Sequence, residues 1–558
     1  MQALLNYAID SSTLSVVSIR SNDWSRIQDA WERGTINLRL EKPGDRSKFG
    51  LLFCVLLVVT ATLRSPLSVS ASAAPLQIDQ SSYIREFHVP TTHSAPLAIT
   101  VDEKGEVWFT ESNASKLGMF NPVNQNFTEF QVPWIGDMWG IAADPRGYIW
   151  LTQYSGKGNV NPGGSIAAGG SGRIIQFNTG TGNFTSILVP TNSSFPMRLK
   201  LDQAGRVWFT EFLGNKIGMY DPSSMLMREY QIPTNSSGAT DLTFDYHGNL
   251  WFSESYARQL GEFNLQNQTF TEYPLGAETA SQIVSSPVGL AVDKEGKVWV
   301  ADHGGNWIVE FDPTNLTIVK FPTHFPPEDV YPISLVNDLL IDSKDHVWFA
   351  EHGGNSVGYY DPEAHSMVEF PIPTGPISTV LWIALAPNGD IWFTEWSADN
   401  IGEVKSDSII PLSISGGTSS LVMSTGERIA IPLQMKILEA MPGNGTFSYS
   451  WGSYNPFDAS VTFEPQYPRL TGSTLIATQA QLSISTTVKP GNYTLALGVE
   501  TQSVYVWSMI SVEVSGPHPS SEVTIFELII IAVTVAIASL LILQLRHRSH
   551  SPTSKAGP

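Results

Sequence analysis

The stretch Val107–Pro122, VWFTESNASKLGMFNP, returns with few changes at Val207–Pro222 as VWFTEFLGNKIGMYDP. The same phrase, more or less worn, is centred on seven tryptophans: Trp108, Trp150, Trp208, Trp251, Trp299, Trp348 and Trp392. The intervals between them are 42, 58, 43, 48, 49 and 44 residues. That spacing is near the period of roughly 40 to 50 residues that marks four-stranded blades. Helical solenoids would show a 3.6-residue periodicity inside each unit, whereas here short alternating apolar runs are bounded by Gly, Pro, Asn and Asp.

One repeat parses physically between Pro196 and Pro233. MRLKLD is a strand, QAG a turn and RVWFTE a second strand; LGN is a loop, KIGMYD a third strand, PSSM a turn and REYQIP a fourth strand. A four-stranded sheet with two apolar faces does not stand alone in water, but seven around an axis bury both faces of each. The expected fold class is therefore all-β: a seven-bladed β-propeller over 75–406. The last repeat stops after its third strand at NIGEV, near Val404, while an unpaired fourth-strand phrase, YIREFHVP, stands at Tyr83–Pro90 before the first repeat. The N-terminal strand is thus expected to complete the seventh blade and remove an exposed edge.

The flanking segments place the chain relative to a membrane. Residues 1–48 are an extension of unclear role. The only cysteine, Cys54, lies in the apolar run LLFCVLLVV, preceded by Arg46 and Lys48 and followed by ASAAP, which reads as a secretory signal over 49–74 with an Ala71-x-Ala73 cleavage site, or as a retained hydrophobic segment. Phe53 before the cysteine argues against a lipoprotein. From Leu528 to Leu543 no residue is charged, and 523–545 has the length of a transmembrane helix. The RHR that follows puts the tail 546–558 in the cytoplasm and the repeats outside the cell membrane. Nine N-x-S/T sequons, at Asn113, Asn126, Asn183, Asn192, Asn235, Asn267, Asn315, Asn444 and Asn492, fall on that outer side and suit a glycoprotein. Between ring and membrane, 407–516 reads as short strands at roughly 10-residue spacing, an immunoglobulin-like β-sandwich acting as a spacer. A formal net charge of -20 without a basic cluster outside the tail excludes nucleic acid as a partner of the outer region.

Repeats of the form P-x-x-I…D-x-x-G-x-V-W-F-T-E…N-K-I-G resemble those of the streptogramin B (virginiamycin B) lyases, over about residues 83 to 404. The resemblance implies a seven-bladed propeller and a magnesium-assisted elimination that linearises a cyclic depsipeptide. It also implies catalytic histidines just after the proline of P-H-x-I in late blades, with a metal-binding glutamate two residues before one of them. The seven corresponding positions are Leu97, Trp139, Met197, Thr240, Val288, Asn337 and Leu381, none of them histidine. The positions two before are Ala95, Asp137, Phe195, Gly238, Ser286, Leu335 and Thr379, of which only Asp137 is a metal ligand by type.

Other chemistry is expected on the side where the second-to-third and fourth-to-first loops open. The sequence sets Glu111, Glu211, Glu254, Asp302, Glu351 and Glu395 there, with Gln153 in the second repeat. Repetition in every blade suits a structural carboxylate; function rarely needs it. Repeats five and six depart from the pattern: ADHGGNW and AEHGGNS set His303 beside Asp302 and His352 beside Glu351, a combination suited to a divalent metal (Mg or Ca) or to acid–base work, or else to a turn with a locally bonded imidazole. His93 and His324 lie in loops of the same side. Trp134, Trp139, Trp307, Trp382 and Trp396 suit stacking on a sugar or macrocycle, with Glu395 near them. The insertion YSGKGNVNPGGSIAAGGSGR in repeat two explains the long interval and reads as a flap. Two functions stay open: a membrane-anchored surface propeller that binds a small-molecule, glycan or protein ligand, or a metal-dependent lyase or hydrolase with His303 and His352 catalytic and Asp302 and Glu351 binding the metal. An unspecific cell-envelope scaffold is a third.

Overall fold

A computed structural model describes residues 83–516 apart from 156–170, 277–283, 285, 325–333, 376–377, 439–443, 452–458 and 471–473. The described residues are all β-strand, turn and loop. Seven four-stranded antiparallel units form a β-propeller: blade one spans 96–131, two 137–192, three 196–231, four 239–274, five 287–322, six 336–371 and seven 380–404 together with Ile84–His88. The innermost strands follow one another around the axis, that of blade seven packing back on that of blade one. Blade three has the expected strands, at Pro196–Leu201, Val207–Glu211, Lys216–Asp221 and Leu226–Gln231.

The ring closes as the order of its pieces predicts. Ile84 pairs with Val404 and His88 with Asn400 in antiparallel register, and Val89 N donates to Asp399 O at 2.9 Å. Phe87 brings an aromatic payload into the joint, 4.5 Å from the Phe120 ring and 5.6 Å from that of Trp392.

The repeated letters have repeated causes. In D-x-x-G-x-V-W the aspartate bonds the turn with one carboxylate oxygen, as Asp102 does for Lys104 N and Glu106 N, and accepts the indole N–H of the tryptophan with the other. The same indole bond forms in six blades, Trp208 to Asp202 at 2.9 Å and Trp299 to Asp293 at 2.9 Å among them. Blade seven has Ala386 in the aspartate's place. Gly105, at φ 80°, supplies the left-handed turn residue.

The glycine of N-K-I-G has a different cause. A Cβ on Gly218 would lie 2.1 Å from Cζ of Phe209, and one on Gly261 would lie 2.0 Å from Cζ of Phe252. The phenylalanine of the second strand therefore lies flat over the glycine paired with it. Blade five pairs Val300 with Val309 and blade two pairs Leu151 with Ile175, so both members change together and the volume is kept.

Residues 407–516 form two packed sheets. One runs Leu412–Gly416, Arg428–Ile437, Leu475–Ile484, Ala459–Glu464. The other holds Thr446–Trp451, Gly491–Glu500 and Tyr505–Ser515, with Ser420–Ser424 parallel to the last. Their facing apolar residues, among them Leu433, Leu482, Leu495 and Ile510, make one core. This region is continuous with the ring: Ser366–Glu369, on the outer edge of blade six, pairs antiparallel with Tyr505–Ser508. Val368 and Phe370 of blade six share a cluster with Leu412, Met435 and Val506, and Trp507 packs with Trp299 and Tyr360. The sequence gives no sign of this seam because both edges read as ordinary alternating strands. The extension 1–48 and the apolar runs 49–74 and 523–545 lie outside the described residues, as does most of the blade-two insertion. Among the described residues no helix is long and apolar enough to cross a membrane.

Gly261→Val alone is expected to cost about 3 kcal/mol in denaturant unfolding, the upper range for overpacking. Adding Phe252→Val, which rebuilds the Val–Val pair of blade five, is expected to recover most of it. Deleting 83–90 is expected to lower the unfolding midpoint of the whole ring rather than of blade seven alone.

Candidate functional site

In every blade but the second, the second-to-third loop hydrogen-bonds, among the described residues, to the loop that enters the innermost strand. Ser112 N donates to Ala95 O, Phe212 N to Phe195 O, His303 N to Ser286 O, His352 N to Leu335 O and Trp396 N to Thr379 O. Both loop sets therefore line one side of the disc, the upper face, as expected from strand order.

The carboxylates that end the second strands are all fully buried beneath this face. Except for Asp302, each faces a second carboxyl from the outer strand of its own blade. In blades one and three, Glu129 and Glu229 hold the entering loop by accepting from Thr91 and Thr191, and each is bonded by a lysine, Lys116 or Lys216, at 2.7 Å. In blade four Glu272 holds Thr234 in the same way, and in blade seven Glu86, on the N-terminal strand, accepts from Thr374 N at 2.9 Å. Burial and the neighbouring carboxylate push Glu111 up to about 7, Glu211 to about 8 and Glu254 to about 7. Burial and Glu86 likewise raise Glu395 well above the carboxylate range. One carboxyl of each pair thus keeps its proton near neutrality. Blade five replaces the pair by Asp302 and Lys320, and blade two by Gln153, whose amide donates to Trp134 O at 2.8 Å.

His303 and His352 do come together, with ring centroids 5.8 Å apart. Burial drives His303 down to about 4; burial and then the nearby His303 drive His352 to about 3. Both are neutral imidazoles in the wall. Their blades are also the two whose second strands carry alanine, Ala301 and Ala350, where the others carry Thr or Ser. Elsewhere that hydroxyl ties one blade to the next: Thr110 to Met138 O, Thr152 to Met197 O, Thr210 to Thr240 O, Ser253 to Val288 O and Thr394 to Leu97 O. In blade five His303 instead hydrogen-bonds the backbone of Val336, and in blade six Asn337 Nδ2 donates to Leu381 O at 2.7 Å.

Asp302 and Glu351 do not join these imidazoles as a metal-binding set. Asp302 accepts from Ser286 N (2.8 Å), Gly304 N (3.2 Å) and Trp307 Nε1 (2.8 Å). Glu351 accepts from Ser356 Oγ at 2.6 Å. Successive strand residues point to opposite faces, so a carboxylate turned into its own blade directs the next side chain away. Among the described residues no three His, Cys, Asp or Glu side chains come together as a metal ion requires, so the residues present do not fit a divalent cation.

The expected aromatic rim divides. Trp307 is buried, its indole fixed by Asp302 and its ring under Lys320 Nζ at 4.3 Å. Trp382 is also buried and donates to Trp139 O at 3.1 Å. Glu395 is buried as described above. Trp134, Trp139 and Trp396 are half-buried, and Ile135 beside Trp134 is 87% exposed. His93 hydrogen-bonds through its backbone N to Asp399, and His324 through its own to Glu369.

The sequence reading missed the group at the centre. Arg198 of blade three bonds Asp241 of blade four at 3.1 Å and Asp338 of blade six at 2.9 Å, and its guanidinium lies 4.7 Å from the Trp382 ring of blade seven. Asp241 and Asp338 also accept Leu290 N and Ile383 N. Five blades are tied across the axis. The available signal was a charged residue inside an otherwise mostly apolar innermost strand, Arg198 in PMRLKL, Asp241 in ATDLTF and Asp338 in VNDLLI.

With this geometry, residues 166–377 match the model of the virginiamycin B lyase family. The chain resembles that family. Solved structures with a similar fold include a streptogramin B lyase (24% identity, TM-score 0.48, covering 57% of this chain and 96% of that one) and virginiamycin B lyase from Staphylococcus aureus (23% identity, TM-score 0.48, 57% and 98%). The extracellular domain of a putative hybrid two component system from B. thetaiotaomicron matches at 13% identity and TM-score 0.42, covering 78% of this chain and 57% of that one. No curated protein matches. At the positions where the virginiamycin B lyase resemblance implies histidines, Leu97, Met197, Thr240, Val288, Asn337 and Leu381 are buried and Trp139 is half-buried. Asp137, two before Trp139, is raised by burial to about 6.

Glu111, Glu211 and Glu254 keep in the folded ring protons that the unfolded chain releases near 4.5, the ordinary value. From that pH up to about 8 the folded state binds more protons, so this contribution to stability is fullest below the window and declines through it. Thermal unfolding is expected to show a midpoint that falls between about pH 5 and pH 8, with a shallower fall in Glu211→Gln; an unchanged slope in that variant would refute the assignment.

Proposed function

We propose that the chain is a membrane-anchored, extracytoplasmic propeller that binds a ligand on its upper face and carries no lyase activity. The observation behind this reading is that the positions made catalytic by the family resemblance hold no base, while the two histidines set beside carboxylates, His303 and His352, are a buried neutral pair with His303 spent on joining two blades. A general base needs reach to the proton it removes, and neither ring has an exposed approach. Half-buried Trp134, Trp139 and Trp396, with exposed Ile135, favour a small molecule or glycan held by stacking. The 407–516 region is read as an immunoglobulin-like module, and 523–545 as the anchor, with the ring outside and 546–558 in the cytoplasm.

Titration with a cyclic depsipeptide and with neutral oligosaccharides, followed by tryptophan fluorescence, is expected to give a response that Trp139→Ala and Trp396→Ala weaken together. A magnesium-supplemented lyase assay is expected to show no linearised product. Turnover lost in the His303→Ala, His352→Ala double variant would overturn the reading in favour of a metal-dependent lyase or hydrolase.

Protease added to intact cells is expected to release the ring while sparing the segment after Arg546. Protection of the ring would reverse the topology.

A further inference from the structure

Nine sequons are equal as sequence but unequal in space. Five blades, one to five, have a third-to-fourth-strand turn that no other part of the described chain engages by strand pairing, and four of these carry a sequon: Asn126, Asn183, Asn267 and Asn315. Blade six has none, and its turn is taken up by the second region, Met509 N donating to His365 O at 2.9 Å. Blade seven draws its outer strand from the chain start and has no such turn.

The hydroxyl residues separate the sites further. At the four turns both asparagine and threonine are exposed: Thr128, Thr185, Thr269 and Thr317 stand outward on the first residues of the outer strands. In blade four the turn also pre-forms the amide–hydroxyl contact, Thr269 Oγ1 donating to Asn267 Oδ1 at 2.6 Å, with Thr269 N on the same oxygen. At the upper-face sequons the asparagines Asn113, Asn192 and Asn235 are exposed, but their serines, Ser115, Ser194 and Ser237, are buried in the loop stitching.

We propose that Asn126, Asn183, Asn267 and Asn315 are N-glycosylation sites used on the folded ring, and that Asn113, Asn192 and Asn235 are passed over, which leaves the upper face open to a ligand. This rests on the outward topology proposed above. The side-chain nitrogen Nδ2 forms a bond to the anomeric carbon of a lipid diphosphate-linked oligosaccharide; the anomeric C–O bond breaks, the lipid diphosphate leaves, and an amide proton passes to a base of the transferase. The acceptor needs a reachable asparagine together with a reachable hydroxyl residue in the sequon, which only the turn set offers among these seven.

The test is glycopeptide mass spectrometry on the full chain isolated from its own membranes. Peptides holding the four turn asparagines are expected to carry hexose-type mass increments, and those with Asn113, Asn192 and Asn235 to run at their unmodified masses. Thr269→Ala is expected to abolish the increment at Asn267 while leaving the other three, which random chemical glycation would not do. Unmodified turn asparagines overturn the proposal, and the external-protease experiment on the same cells then reports whether the topology fails with it. Modification of the upper-face and turn sets alike overturns the selection by fold.

Discussion

Ile84–His88, hydrogen-bonded along Asn400–Val404, joins the two ends of the ring without a covalent bond. Every blade has two apolar faces, and each face is covered only by a neighbour, so an opening anywhere exposes two of them. The short N-terminal strand therefore stabilises far more than its own contacts. It also brings Glu86, which completes the carboxyl pair of blade seven and holds the incoming loop at Thr374. Closure of the sheet and closure of the polar network are made by the same five residues.

Seven near-copies allow each departure from the repeat to be compared with its neighbours. Phe over Gly becomes Val with Val in blade five and Leu with Ile in blade two, because interior volume must be conserved locally. The paired carboxyls become Asp302 with Lys320 in blade five, where a charge partner replaces a shared proton. The hydroxyl bridge between blades becomes an imidazole at His303 and an amide at Asn337. Of the two histidines that stand beside a carboxylate in adjacent repeats, His303 makes the inter-blade bond that a threonine or serine makes elsewhere. The ring then also needs a tie across its axis, and Arg198 supplies it by reaching carboxylates of blades four and six.

The second region changes what the ring can do mechanically. A continuous sheet from blade six into Tyr505–Ser508, backed by shared apolar clusters, makes a firm joint rather than a flexible tether. That region meets the ring at the edge of blade six, whose outer turn carries no sequon, and at the loop that enters that blade, where the His324 ring lies 4.6 Å from that of Tyr505.

The sequence by itself determined the period, the four strands per repeat, the completion of blade seven by Tyr83–Val89, and the face on which the loops gather. These follow from local alternation, turn residues and the order of pieces along the chain, all of which are properties of short segments. It did not determine which side chains are available. Trp307, Trp382 and Glu395 have surface-loop or strand-end positions in the sequence, yet the fold buries them against Asp302, Arg198 and Glu86 from other strands or blades. Arg198, Asp241 and Asp338 are up to 140 positions apart and meet only because blades three, four and six face one axis. Burial, pairing and protonation depend on neighbours that sequence distance hides, and those neighbours are fixed only when the ring closes.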